Sequence, residues 1–467
     1  MTMKRLLLTL ALLGAGLAAA AQNDYAHRYT RSLHDILTDI STRFGVRLKC
    51  EVDTVGRTLP YAASRIRPYS LEETLDNVLK PFDYKIVKQN DRYYKIKPYE
   101  SHRRLPEEGA KLLEHLAATH GADRAAFERR KEELRRDARA ITGIDRLVEA
   151  CVPLAPLLTK ERRYDGYTVR NFRLETLPGL YVCGSIYLPL THRSGKHPVI
   201  LSPDGHSDRY NEGTQLRLAA WARMGAAAVS YDLVGYGESA LQLGTAVHHT
   251  PIAQLVQLLN GIRVLDMMLA RTDTDPTRVG ICGASGGGTQ TMQLAVLDPR
   301  YTAACPVISL SSYFDGGCPC ESGIQLCSAG GGTCNAELAA TLAPRPLGIV
   351  SDGKDWTAHV PVQELPYLQG IYRLYGAEEA VRDYHFPAEG HDFGPNKRRA
   401  VYDFFGAVFG LDPARADEER LTVEKRELLL LFGPEGEALP AGAIRTVGAL
   451  APWFDAEAVA EALRMKN

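Results

Sequence analysis

The hydrophobic period along this chain changes twice. Between residues 24 and 99 it is mixed. In SLHDILTDISTRFGV, Leu33, Ile36, Leu37 and Ile40 share one helical face. RLKCEVD alternates as a strand. SLEETLDNVLKPF is a second amphipathic helix, with Ser70 at its cap and Glu73 three residues on, the spacing of a capping box. DYKIVKQNDRYYKIKP reads as a hairpin turning at Gln89–Asp91. Together these predict a small α+β domain over 24–99. Across 100–165 the chain turns helical and charged. DRAAFERRKEELRRDARAI predicts a long helix in a helical linker, with its charges on a solvated face.

From 166 to 412 short apolar strands alternate with helices. YTVRNFRLET and GLYVCGSIYLPL alternate in twos and predict an antiparallel pair at a sheet edge. HPVILSP, AAAVSYDL, RVGIC, AACPVISLS and PLGIVSD are buried strands, and VRDYHFP is the last one. Helices around QLRLAAWARMG, IAQLVQLLNGIRVLDMMLA, VQELPYLQGIYRLYG and NKRRAVYDFFGAVFG lie between and after them. That alternation predicts a mostly parallel sheet covered by helices on both faces, an α/β architecture. Residues 413–467 form an acidic, Ala-rich C-terminal extension with one apolar run, ELLLLF.

Composition narrows the function classes. Charged residues make up 24% and the formal net charge is −1, which gives no electrostatic basis for binding nucleic acid. The first residues carry Lys4 and Arg5, then an apolar run from Leu6 to Ala20 and small residues near Ala21. This predicts a cleaved signal peptide over 1–21 and an exported, most simply periplasmic, protein with no membrane span after cleavage. Four of the nine cysteines crowd into CPCESGIQLCSAGGGTC. Their C-x-C-x6-C-x6-C spacing lacks the paired C-x2-C of zinc ribbons, so disulfides among Cys318, Cys320, Cys327 and Cys334 are expected rather than a metal.

The candidate chemistry lies in RVGICGASGGGTQTM. No lysine stands in this turn, so it is not a phosphate loop of the Gly-Lys-Ser/Thr kind. Gly283-Ala284-Ser285-Gly286-Gly287 is instead G-x-S-x-G between a strand and a helix, the setting of a nucleophile elbow. A serine hydroxyl needs a base, and chain order on this architecture is Ser, acid, His. His391, in the Gly-flanked loop of FPAEGHDFGPNKR, stands where the base belongs, whereas His385 lies on the strand itself. SDGKDWT offers Asp352 and Asp355 as the acid. Asp352 is placed to cap the turn, and Asp355 to reach the histidine. Glu321, in the cysteine-rich loop, is a third candidate. The oxyanion donors expected are the N–H groups of Gly286, at a helix N-terminus, and of His206, in the LSPDGHSD loop. The His206 ring could contact substrate instead. Trp356, Tyr236 and Tyr313 are aromatic candidates for stacking on a sugar.

SPDGH, YDLVGYGES, GICGASGGGTQT, APRPLGIVSDGKDWT and FPAEGHDFGPNKR occur in the order found in α/β-hydrolases, and together resemble the acetyl xylan esterase-like and dienelactone hydrolase-like branch. The resemblance implies an esterified carbohydrate as substrate, Ser285 as nucleophile, His391 as general base, Asp355 as orienting acid, and no metal or organic cofactor. Residues 24–99 resemble the short N-terminal domain of secretins and TonB-dependent receptors, which implies a protein partner through that segment. Two other enzyme readings are a prolyl-oligopeptidase-like serine peptidase, whose propeller repeats are missing here, and a glucuronoyl- or feruloyl-type esterase. The non-enzymatic reading is an interaction protein with a degenerate hydrolase.

Overall fold

Leu33, Ile36, Leu37 and Ile40 are all buried on the inner face of a helix, Leu33–Phe44, as their spacing predicts. The computed structural model describes residues 30–60, 62–82, 84–98, 103–104, 106–190, 195–315, 318–323 and 326–464, so the leader expected over 1–21 lies outside the described residues. The chain divides between residues 101 and 102 into two units. In the first, β1 (Thr30–Ser32) pairs antiparallel with β3 (Thr58–Pro60). There β2 (Arg47–Cys50) lies parallel to β5 (Tyr93–Pro98), which forms a hairpin with β4 (Tyr84–Asn90). The second helix, Leu71–Leu79, starts on half a capping box. Ser70 Oγ accepts from the Glu73 N–H at 3.2 Å, while the Ser70 N–H goes to the Arg67 carbonyl. Leu33, Leu75, Val78 and Ile96 close a separate small core.

In the second unit β6 (Arg103–Arg104) anticipates a short pairing, completed much later in the chain. A large sheet is built from β7 (Leu157–Leu158), β8 (Arg162–Tyr164), β9 (Tyr167–Leu177), β10 (Leu180–Pro189), β11 (His197–Pro203), β12 (Ala227–Tyr231), β13 (Thr274–Ala284) and β14 (Ala303–Val307). After β15 (Phe314–Asp315), which pairs with β6, it is completed by β16 (Leu347–Asp352) and β17 (Val381–Phe386). The order across this ten-stranded sheet is β17-β16-β14-β13-β11-β12-β10-β9-β7, with β8 beside β9. Pairings from β12 through β17 are parallel, and those of β10, β9, β8 and β7 are antiparallel.

The period of 2 along β11 sends Val199 and Leu201 to one face and Ile200 to the other, and both faces are dry. Helices Pro251–Leu269, Gly286–Leu297 and Glu364–Arg373 cover the first face, and Glu212–Met224 and Pro395–Phe409 the second. This is the α/β-hydrolase architecture expected. Pro251–Leu269 is long and apolar enough to cross a membrane, but it is a core helix, 83% buried in its most apolar window.

Residues 106–149 belong to the same unit as the sheet. Contrary to expectation, the charged helix Arg124–Thr142 does not turn all its charges to water. Arg130 is buried and reaches Glu337 at 2.9 Å and the carbonyls of Gly330 and Gly332, while Lys131 donates to the Ala343 carbonyl at 2.8 Å. The sequence shows those cations but not the carbonyls that remove their need for water. The C-terminal extension likewise folds back on the sheet, with Leu450 and Phe454 in the main core.

Arg209 holds much of that return. Its guanidinium, fully buried, donates to Asp232 (2.8 Å), Glu238 (2.6 Å) and the Leu429 carbonyl (2.8 Å), while Glu238 accepts from the Leu431 N–H (2.6 Å). Burial lifts the Asp232 carboxyl to about 6, with Arg209 pulling it down and Glu238 pushing it up. An unfolded aspartate titrates near about 3.9. The folded value is the higher one, so the contribution of this group to stability is complete below pH ~4 and is lost as pH rises through about 6. Arg209→Met leaves two buried carboxylates without their cation. The expected loss is about 3–5 kcal/mol in urea unfolding. It is larger at pH 8 than at pH 5, because the abandoned carboxyls must then bind protons the unfolded chain does not. A deficit independent of pH would show that the arginine acts by packing alone.

Candidate active site

Ser285 sits between β13 and helix Gly286–Leu297 with φ 56° and ψ −121°, a left-handed conformation rare for a residue with a side chain. Such a residue costs of order 1–3 kcal/mol and persists only where its surroundings enforce it. Here the surroundings are chiefly backbone. A Cβ on Gly283 would lie 2.5 Å from the Pro203 carbonyl oxygen, and one on Gly288 would lie 2.5 Å from Ser309 Cβ. A Cβ on Gly287 would also collide with the Pro203 carbonyl. The glycines of G-x-S-x-G let β11, the elbow and the helix close on one another.

His391 and Asp355 reach the elbow as their order along the chain suggests. His391 Nε2 is 3.0 Å from Ser285 Oγ, and His391 Nδ1 is 2.6 Å from Asp355 Oδ2. An ionised carboxylate only accepts, so Nδ1 carries the proton and Nε2 presents its lone pair to the serine. Burial alone would raise Asp355. Hydrogen bonds from His391 and from the Thr357 hydroxyl and N–H outweigh it and hold the carboxyl below its usual range. Asp352 has a different role. It is fully buried, pairs with Lys397 Nζ at 2.9 Å and caps its own turn through the Lys354 N–H at 3.0 Å. It does not reach His391. Nor does His385, whose Nδ1 is 2.8 Å from Ser351 Oγ on the neighbouring strand.

Glu321 is brought to the site, but onto the serine. Ser285 Oγ donates to Glu321 Oε1 at 2.5 Å, and His206 Nδ1 is 3.2 Å from the same oxygen. Burial would raise this carboxyl, but His206 and the serine hydroxyl outweigh it and lower it. The serine proton therefore has two acceptors, His391 and Glu321. A cleft of about 680 Å³ opens over the group, lined among others by His206, Arg217, Ile308, Glu321, His391 and Phe393. Among the described residues no hydrogen bond takes up the N–H of Gly286 or of His206. A Cβ on Gly205 would lie 3.5 Å from the Gly286 nitrogen, so the two donor-bearing segments are adjacent.

The chain is similar over 95% of its length to Methylesterase BT1017. The two are 53% identical with a TM-score of 0.75, and the match covers 99% of that protein. The chain belongs to the same family. A model of the X-Pro dipeptidyl-peptidase (S15) family matches residues 180–366. More distant structures include a glucuronoyl esterase from Solibacter usitatus (13% identity, TM-score 0.44, covering 62% of this chain and 94% of that one) and an acetyl xylan esterase from Paenibacillus sp. R4 (18%, 0.39, 58% and 92%). At those scores neither carries weight. No curated protein matches the chain.

Beyond the family resemblance, the structure supplies residues that motif reading missed. Lys397, in the helix after His391, donates to the carbonyls of Gly390 and Asp392, on either side of the histidine. With Asp352 as its counter-ion it fixes the loop that carries the proposed base. Its only sequence signal is a lysine in a first helical turn. The aromatic candidates are already occupied. The Trp356 ring lies 4.4 Å from that of His391, and Tyr313 donates to or accepts from His359 Nδ1 at 3.0 Å. Tyr236 packs 4.8 Å from the His248 ring. The expected disulfides do not form. All nine cysteines are thiols, and Cys318 and Cys320 turn their sulfurs toward His206 and His248.

The two aspartates separate cleanly by experiment. Asp355→Asn is expected to slow labelling of Ser285 by a fluorophosphonate about 10⁴-fold with little change in melting temperature. Asp352→Asn strands a buried ammonium and is expected to cost about 3–5 kcal/mol in unfolding free energy. Equal labelling losses in both, at full stability, would remove Asp355 from the relay.

Proposed function

We propose that this protein is an exported serine carboxylic-ester hydrolase acting on an esterified carbohydrate through an acyl-enzyme. The observation that carries the reading is the contact chain Asp355–His391–Ser285, at 2.6 and 3.0 Å, beneath an open cleft. Ser285 attacks the ester carbonyl and His391 takes its proton. Asp355 stabilises the imidazolium that results. The N–H groups of Gly286 and His206 receive the oxyanion, with the helix dipole behind Gly286. His391 then passes its proton to the leaving alcohol and activates the water that frees the enzyme.

Family membership sharpens the substrate. A methyl ester on a carbohydrate must be the ester of a sugar carboxyl. In that case the sugar acid stays on Ser285 and methanol leaves. An acetyl ester reverses the arrangement: a small acyl group stays and the sugar leaves. The kinship with a methylesterase favours the methyl uronate over the acetylated xylan that the motifs alone suggest. The leader at Leu6–Ala20 supports export. The separate core of the first unit supports a small domain of its own there, for which we propose the secretin- or TonB-type interaction role that its sequence pattern resembles.

The match to the X-Pro dipeptidyl-peptidase family over 180–366 favours a second reading, cleavage after proline near an N-terminus. One comparison decides between them. Methanol release from a methyl-esterified polyuronate, acetate release from acetylated xylan, and amine release from an X-Pro anilide are measured side by side. Methanol release is expected to dominate and to fall by at least about 10³-fold in Ser285→Ala. Undiminished methanol release by the alanine variant would refute the scheme, and anilide cleavage alone would establish the peptidase.

A further inference from the structure

Four side chains from three separate segments converge beside the elbow: His206, His248, Cys318 and Cys320. Their ligand atoms all lie within 4.8 Å of one another. His206 Nε2 is 2.9 Å from His248 Nε2 and 3.2 Å from Cys318 Sγ. Cys320 Sγ is 3.1 Å from His248 Nε2, 3.4 Å from His206 Nε2 and 2.7 Å from Cys318 Sγ. His248, Cys318 and Cys320 are buried, and His206 has a side chain one-third exposed, which leaves a way in from the cleft.

The outer partners fix which nitrogens face the centre. His248 Nδ1 is 2.7 Å from the Val234 carbonyl, which can only accept, so Nδ1 carries a hydrogen and Nε2 is the nitrogen turned to the centre. His206 Nδ1 faces the Glu321 carboxylate at 3.2 Å, which turns its Nε2 to the centre as well, 2.9 Å from that of His248. Each ring nitrogen turned away from the centre thus has the carbonyl or carboxylate partner usual for a metal-bound histidine.

We propose that His206 Nε2, His248 Nε2, Cys318 Sγ and Cys320 Sγ form a structural zinc site that clamps the Cys318–Gly323 turn against the nucleophile elbow. Two thiolates and two imidazoles are a zinc donor set, and four protein ligands leave no open position for substrate. With Zn–S near about 2.3 Å and Zn–N near about 2.0–2.1 Å, tetrahedral ligand atoms sit about 3.3–3.8 Å apart. Most of the contacts quoted are shorter than this, and an ion would open the tightest pair, Cys318 Sγ–Cys320 Sγ, from 2.7 Å to about 3.8 Å. Binding converts two thiols to thiolates and releases their two protons to solvent, so charge and atoms balance. The consequence reaches the serine by two routes. Glu321, next to Cys320, touches Ser285 Oγ, and a Cβ on Gly286 would meet Cys320 Sγ at 3.0 Å. Glu321 is thus a positioning residue, held by the ion through His206 and the turn.

Metal binding does not depend on the ester chemistry, so its test stands apart from enzyme assays. The full chain, without a histidine tag, is purified under reducing conditions, dialysed against zinc and desalted, and its metal content measured by mass spectrometry. About one zinc per chain is expected, falling to below about one-tenth in Cys320→Ser and in His248→Gln. The second variant decides the matter if the first does not fold. Cobalt in place of zinc should give the near-ultraviolet thiolate charge-transfer bands and intense visible bands of a tetrahedral sulfur–nitrogen site. A folded, reduced wild-type chain that retains no zinc would overturn the proposal. So would a Cys318–Cys320 disulfide in protein isolated without reductant that cannot be replaced by metal after reduction.

Discussion

Behind Ser285 two stretches of backbone pass with no room for a side chain between them. The Pro203 carbonyl, at the end of β11, occupies the space that a Cβ on Gly283 or Gly287 would need. This close approach forces the chain to reverse over one residue, and the residue at the apex takes the left-handed conformation. Much follows from that geometry. The serine side chain is lifted off the sheet toward the cleft. The first N–H of the following helix is left without an internal partner. The 204–206 loop, leaving β11 at the same point, is brought beside that N–H. Candidate nucleophile and candidate oxyanion donors are two consequences of one packing contact.

Four carboxylates of the second unit show how environment distinguishes nearly identical groups. Asp355 is held ionised by donors from Thr357 and His391. Asp352, a short way along the same loop, is neutralised in the interior by Lys397 and helps to anchor the histidine loop. Glu321 is kept charged by His206 against the pull of burial. Asp232, buried beside Arg209 and Glu238, is driven upward. Each is an acid of nearly the same intrinsic strength. Only the partners that the fold supplies decide whether it faces the histidine, anchors a loop, meets the serine or ties down the C-terminal return.

The same logic covers the flanks. The charged helix Arg124–Thr142 buries Arg130 against the carbonyls of Gly330 and Gly332, and the C-terminal segment gives its Leu429 carbonyl to the buried Arg209. A buried guanidinium is costly unless each N–H has an acceptor, and here carbonyls and carboxylates are aimed at it. These pieces complete the unit that carries the cleft.

The sheet, its helices and their order were legible from the chain alone, because both depend on local periodicity. A strand dry on both faces cannot hide its apolar run. The elbow was legible too, since its glycines mark a steric need, and chain order then pointed to His391 and Asp355. What the chain could not disclose is anything that depends on partners far away in sequence. Arg130 reads as a solvated charge until Gly330, Gly332 and Glu337 surround it. Lys397 is an ordinary lysine until Asp352 meets it. The cysteines read as disulfide halves because spacing rules see one segment at a time, while His206 and His248 arrive from other loops. Periodicity and turn chemistry are properties of neighbours along the chain. Burial of charge and the meeting of side chains from separate loops are properties of neighbours in space, and only the tertiary structure decides those.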